Sequence, residues 1–286
     1  MHQFLRARAL SLAVVAAVAG AVVSVPVHAD ASSILKIHIN SHGKVRLSDT
    51  TLHTGTVRFA LTGGAPGWGV QVVTLKHGLT LKRAEGLVAG AFAGNVKKIR
   101  KMYADINFVG GPSASGPTSG TLELPKAGTY YVFGTPPDGV KSPNVVKVHV
   151  TGPAVRPAAP TSKAQVVAVT GARWGGRSTL PHKGTLVFKN RSKDYAHFVD
   201  FEAVQPGTTR DQVLSFLQSS GPNSPPPSFA DMTRQGFSGS IVSPGEWTAQ
   251  RFHLAPGAYA VLCFMPDKKM GMPHALMGMV KIVTVK

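Results

Sequence analysis

The 286-residue sequence predicts an all-β chain of two tandem antiparallel β-sandwiches, each with a short helical insert. Three observations lead there. Short apolar segments alternate with period two between Gly, Pro, Asn and Ser, as half-buried strands do. A proline-rich stretch, "TGPAVRPAAPTSK" at 151–163, divides the chain near its middle, and repeated prolines favour extended, unpacked backbone. The two sides of that stretch also repeat each other. "GTVRFALTGGAPGWGVQVVTLKHGLT" from Gly55 lies over "GTLVFKNRSKDYAHFVDFEAVQPGTT" from Gly184 without a gap, and "AGTYYVFGTPPDG" from Ala127 lies over "PGAYAVLCFMPDK" from Pro256. Both alignments share one offset of 129 residues (184 minus 55, 256 minus 127), which argues for duplication.

Taken in order, the chain opens with a segment of a different kind. Arg6 and Arg8 precede an apolar run from Ala9 to Val25, and Val27-His28-Ala29 ends in a small residue. This is the pattern of a signal peptide cleaved after Ala29, so residues 1–29 imply export to a periplasm or beyond the cell. The run is short for a membrane span and no other stretch is apolar enough to cross a bilayer, so the mature chain carries no predicted transmembrane segment. Residues 30–151 form the first predicted domain, 152–163 the linker and 164–286 the second domain.

Within the first domain, "VRFAL", "VQVVTL", "YYVFG" and "VVKVHV" read as strands, and "LTLKRAEGLVAGAF" as the helical insert. In the second, the strands are "TLVFKN", "HFVDFEAV", "YAVLCF" and "MVKIVTV". Its insert, "TTRDQVLSFLQSS", has Thr208 or Thr209 as N-cap and Val213, Phe216 and Leu217 on one face. On the strand after His197, alternation puts Asp200 and Glu202 on the outer, solvated face.

The formal charge is +18, lowered by two when Arg6 and Arg8 leave with the signal peptide. Such a field steers acidic partners. The basic residues lie singly along the chain apart from Lys97-Lys98-Ile-Arg100-Lys101, which reads as a solvated face rather than a specific nucleic-acid site. No Gly-x-Ser-x-Gly elbow, Gly-rich phosphate loop or His-Glu-x-x-His helix occurs, so no hydrolase or nucleotide site is assigned.

Cys263 is the only cysteine, in a compartment where thiols normally pair. A metal thiolate, a buried inert thiol and an intermolecular disulfide are the alternatives. Its neighbours favour the metal. A copper site that cycles between Cu(I) and Cu(II) takes one thiolate, two imidazoles and a weak axial thioether, and the second domain holds all four types as His197, Cys263, His274 and Met279.

The segment "FKNRSKDYAHFVDF" resembles the first-histidine segment of plastocyanin-type blue copper proteins, and "YAVLC…P…H…GMVKIVTV" resembles their closing Cys-Pro-His-Gly-Met segment. The family is the cupredoxins, and the resemblance implies tandem cupredoxin-like Greek-key β-sandwiches. It also implies one copper per chain, with His197, Cys263 and His274 in a trigonal plane and Met279 axial. Ten residues separate Cys263 from His274, more than in small cupredoxins and nearer to copper nitrite reductases. The first domain is expected to be a degenerate copy without metal, since Trp68 stands at the position of His197 and Gly134 at that of Cys263.

One-electron transfer with an acidic redox partner is the function this implies. Phe198, Phe264 and Met265 would exclude water from the site. A periplasmic Cu(I) carrier or buffer is the alternative, exchanging copper with a donor or acceptor through Cys263, Met270, Met272, Met277 and Met279, and a metal-free scaffold is a third. A copper oxidase or nitrite reductase needs further histidines, commonly in His-x-His pairs. No such pair occurs, and His38, His42, His53 and His77 are the candidates left for a second site.

Overall fold

The computed structural model describes residues 34–63, 68–113, 118–135, 144–221 and 224–286. The signal-peptide reading of residues 1–29 lies outside them. In the first repeat the elements are β1 (Leu35–Ile39), β2 (Val45–Leu47), β3 (Thr51–His53), β4 (Gly55–Gly63), β5 (Gly69–Leu75), α1 (Leu81–Phe92), α2 (Val96–Asp105), β6 (Ile106–Gly110), β7 (Thr118–Leu124), β8 (Gly128–Thr135) and β9 (Val145–Thr151). In the second they are β10 (Ala164–Val169), β11 (Arg173–Gly176), β12 (Thr179–Leu180), β13 (Lys183–Asn190), β14 (Asp200–Val204), α3 (Arg210–Ser219), β15 (Phe237–Ser238), β16 (Trp247–His253), β17 (Gly257–Leu262) and β18 (Val280–Val285).

The protein is all-β with helical inserts, and the architecture is built twice. β1 runs parallel to β4 as β10 does to β13. The order β3-β9-β8-β5-β6 reappears as β12-β18-β17-β14-β15. Even the register repeats, since Gln71 opposite Phe133 becomes Asp200 opposite Leu262, each 129 residues later. Alternating apolar residues supply the cores. Ile37, Phe59, Val72, Leu122, Val132 and Val148 cluster in the first repeat, and Val166, Phe188, Phe201, Tyr259 and Val283 in the second.

One eight-stranded sheet, β11-β10-β13-β16-β7-β4-β1-β2, runs through both repeats. Its central seam is β7 against β16, equivalent strands paired antiparallel, with Thr121 opposite Ala249. Beyond Thr151 the proline-rich stretch has no regular structure but is tied down, because Trp247 donates from Nε1 to the Pro157 carbonyl at 3.1 Å and the Val155 N–H donates to the Pro125 carbonyl.

One expectation gains an element and one needs correction. The Lys/Arg run is a solvated face, with Lys97, Lys98, Arg100 and Lys101 all exposed, but it lies on a helix the sequence did not show, α2: Asn95 caps it, and behind its cations Ile99 and Met102 have no exposed surface. Sequence reading missed this helix because the charges dominate a segment whose apolar side is narrow. Glu202 is buried rather than solvated, at 9 % exposure. A further apolar cluster, with Val213 and Leu217 of α3 against Val204, Ala260 and Leu262, shows that α3 covers that face of the sheet.

Candidate metal centre

Three segments bring the site together. The first runs between β13 and β14 and is shaped by Asn190, the last residue of β13. Its buried Nδ2 donates to the carbonyls of Tyr195 and Val242, both at 2.8 Å, and its Oδ1 accepts from the Ser192 N–H. His197 then forms an isolated β-bridge with Val242, bonded in both directions, so its backbone cannot rotate away. Regular strand begins only at Asp200, three residues after the histidine that the sequence placed at a strand start.

Cys263 directly follows β17, and residues 263–279 connect β17 to β18. This loop is folded by its own backbone. The Ala275 N–H donates to the Cys263 carbonyl at 2.7 Å, the His274 N–H to Met265, and the Asp267 N–H to Met272. Asp267 closes the tip by accepting from the Lys269 and Met270 N–H groups. Bonds on both sides of Cys263 and His274 thereby set the two side chains next to each other, although ten residues separate them.

The Cys263 Sγ lies 3.5 Å from the His197 Nδ1 and 3.9 Å from the His274 Nδ1. All three donor atoms lie within 4.8 Å of one another, and among the described residues no other group of three or more His, Cys, Asp or Glu side chains does so. None of the three residues has exposed surface. The buried Nε2 atoms of both histidines have no hydrogen-bond partner among the described residues. Met279 is equally buried and shares an apolar cluster with Cys263 and Met265, and its N–H donates to the His274 carbonyl. Met277, two residues earlier, is 40 % exposed.

Burial controls the electrostatics. It pushes the Cys263 thiol up to about 12, and it pulls His197 down to about 2, with the neighbouring His274 adding to the effect. His274 falls to about 4, again mainly through burial, with Lys268 lowering it and Asp267 opposing. Both imidazoles are therefore neutral and ready to ligate near neutral pH. A bound cation would invert the preference of the thiol, which is deprotonated on coordination. The donor set fits copper: one soft sulfur, two imidazoles turned toward it through the same ring nitrogen, and a buried thioether close by in the fold.

Residues that sequence reading did not single out complete the surroundings. Tyr195 packs edge-on against His274 with ring centroids 4.7 Å apart, and its hydroxyl donates to the Asp267 Oδ2 at 2.7 Å. Trp174 lies 6.4 Å from the His197 ring and donates from Nε1 to the Met279 carbonyl. Position in the chain gave no signal for either. In the first repeat the equivalent place is filled: Trp68 is 5 % exposed, its ring takes the space of a Cβ on Gly43, which would stand 2.0 Å from it, and a Cβ on Gly134 would touch it at 3.4 Å.

No family model matches the chain, and no curated protein does. Among solved structures it is similar to sodium-dithionite-reduced auracyanin from Roseiflexus castenholzii, at 23% identity over 43% of this chain and 94% of that one, TM-score 0.27. It is similar to auracyanin A, a "blue" copper protein from Chloroflexus aurantiacus, at 18% identity over 42% of this chain and 100% of that one, TM-score 0.26. Copper nitrite reductase from Nitrosomonas europaea matches at 10% identity over 88% of this chain and 93% of that one, TM-score 0.22.

Proposed function

We propose that the protein is an exported mononuclear blue copper protein that carries single electrons. The observation behind this reading is the convergence of the His197 and His274 Nδ1 atoms on the Cys263 sulfur in a site with no exposed surface. His197, Cys263 and His274 would hold the copper, with Met279 supplying a weaker thioether donor. Bound copper would supply a reversible one-electron couple. A buried thioether in the same apolar cluster as Cys263, with no carboxylate in the His-Cys-His group among the described residues, favours copper over zinc.

The chain's own part is to keep that cage dry and stiff. Met265 and Met279 are fully buried, Phe198 nearly so, and Asn190 together with the loop's backbone bonds fixes the ligand backbones. Orientation of this kind limits rearrangement between oxidation states. An acidic redox partner fits the surface charge. Lys76, His77, Arg83, Lys98 and Lys101 line one cleft of about 540 Å³, in which Asp105 is the one acid. Encounter would then slow as salt screens it.

The deciding experiment loads the mature protein with Cu(II) and records its visible spectrum beside that of Cys263→Ser. An intense thiolate-to-copper charge-transfer band that vanishes in the variant is expected. A colourless but tightly metallated protein would assign zinc or copper handling, and no binding would leave a scaffold.

A Cu(I) carrier is the second reading, and one observation favours it. Met270, Met272 and Met277 are 59, 39 and 40 % exposed, so they do not fill gaps in the loop but offer thioethers to solvent. Copper(I) passing to a competing chelator within seconds would support it. Retention over hours would exclude it.

A further inference from the structure

We propose that the repeat without the Cys-His-His set holds the ligand loop of the other repeat in place, with Arg100 and Tyr103 of α2 as positioning residues for His274. The part concerned with bound copper rests on the reading above.

Two backbone carbonyls at the tip of the ligand loop accept bonds from α2. The Tyr103 hydroxyl donates to the Pro266 carbonyl and the Arg100 Nε to the Lys268 carbonyl, both at 2.9 Å. These carbonyls flank Asp267, the residue that closes the tip. The helical hairpin also meets the loop by shape. Gly271, at φ +74°, lies so close to the turn between α1 and α2 that a Cβ would stand 2.9 Å from the Gly94 carbonyl oxygen and 3.5 Å from Ile99.

From α2 the contacts run inward to the ligand. The Tyr103 ring meets Tyr195 edge-on at 5.7 Å, and Tyr195 meets His274 in the same way at 4.7 Å. The Lys268 ammonium sits 5.1 Å from both tyrosine rings, between the two repeats. Ile99 and Met102 of α2 belong to one continuous apolar cluster with Cys263, Met265 and Met279. His274 thus owes its complete burial to rings and loop segments supported from both repeats.

A connecting loop, even one held by its own backbone bonds, opens locally at lower cost than a sheet unless something outside pins it. Here the pin is a helix of the neighbouring repeat. Duplication without a second Cys-His-His set among the described residues then has a use: the extra copy stiffens the loop that carries Cys263 and His274.

The test replaces Tyr103→Phe and Arg100→Met together, which removes both donors but keeps the ring and the aliphatic stem. In metal-free protein, amide exchange at Asp267, Lys269, His274 and Ala275 should rise roughly tenfold, as should the reaction rate of the Cys263 thiol with a disulfide reagent, while amides of β13 keep their rates. In copper-loaded protein, the charge-transfer maximum should shift and loss of copper to a chelator should quicken by a similar factor. Unchanged loop exchange and thiol reactivity would overturn the proposal, as would an equal rise in β13, which marks general destabilisation. If the double variant does not fold, Tyr103→Phe alone is read in the same way, with about a threefold effect. The metal-free measurements judge the clamp even if the wild type binds no copper, so the two readings fail separately.

Discussion

Asn190 has 1 % of its surface exposed and three side-chain hydrogen bonds, each to backbone that leads into or braces His197. Replacing it by alanine strips the Ser192 N–H of its partner in the interior and leaves the Tyr195 carbonyl with the Ser192 hydroxyl alone, so Asn190→Ala should cost about 2–4 kcal/mol. Urea unfolding of the metal-free protein measures this, and a loss under 1 kcal/mol would show that water or Ser192 compensates. Glu123 offers a second residue-scale prediction. It is 3 % exposed, and burial first and Glu246 second push its carboxyl up to about 7, against Arg156. A carboxyl whose folded pKa exceeds its unfolded value binds its proton more tightly when folded. Its contribution is therefore full below about pH 4.5 and is lost as pH rises through about 7. Between pH 5 and pH 8 the wild type should lose on the order of 2 kcal/mol that Glu123→Gln keeps, and equal slopes in the two proteins would exclude Glu123 as the cause.

The helices brace the ligand loop from two sides, and here sequence and structure part company most clearly. α3 begins with a complete capping box, Thr209 with Gln212, and then reaches the loop through the Arg210 Nη2 to the Gly278 carbonyl and the Gln218 Nε2 to the Leu276 carbonyl, each at 2.9 Å. Thr209→Ala should cost about 1 kcal/mol by urea unfolding. Amide exchange at Gly278 and Met279 should quicken more than in β16, and the absence of that difference would show that α3 and the loop open independently. The cap and the apolar face of α3 were legible because Val213, Phe216 and Leu217 fall on one side of a polar segment. His197, Cys263 and His274, which the structure brings together, stood out in the sequence because their types and order are rare. The buried side of α2 was missed and Glu202 was misplaced, for a shared reason: both depend on which element covers which face. A charged run reveals nothing of the two residues behind it that meet another repeat, and strand alternation cannot tell a solvated face from one roofed by a helix.

At the scale of the whole molecule, the question is whether two repeats make one unit. Three features argue that they do: a sheet that crosses the seam at β7 and β16, an apolar cluster that runs from α1 and α2 to Cys263, and paired side-chain bonds across the seam. Gln71 both donates to and accepts from Ile241, and Gln250 does the same with Ser113. Elements this interlocked lose their partners together, so the metal-free protein should unfold in a single calorimetric transition. Gly120 is where that coupling is most exposed to test. At the centre of the seam, a Cβ on Gly120 would stand 2.1 Å from the Ala249 carbonyl oxygen, a contact that no rotamer relieves because both sides are backbone. Gly120→Ala must therefore part the strands or bend them, at about 3 kcal/mol, and the loss should fall on the seam rather than within either sandwich. The expected outcome is a split of the single transition into two, with faster exchange at Thr121 and Ala249 and the cores of β4 and β13 protected. A single transition merely shifted to lower temperature would mean that the apolar cluster alone holds the repeats together, and that the sheet only follows.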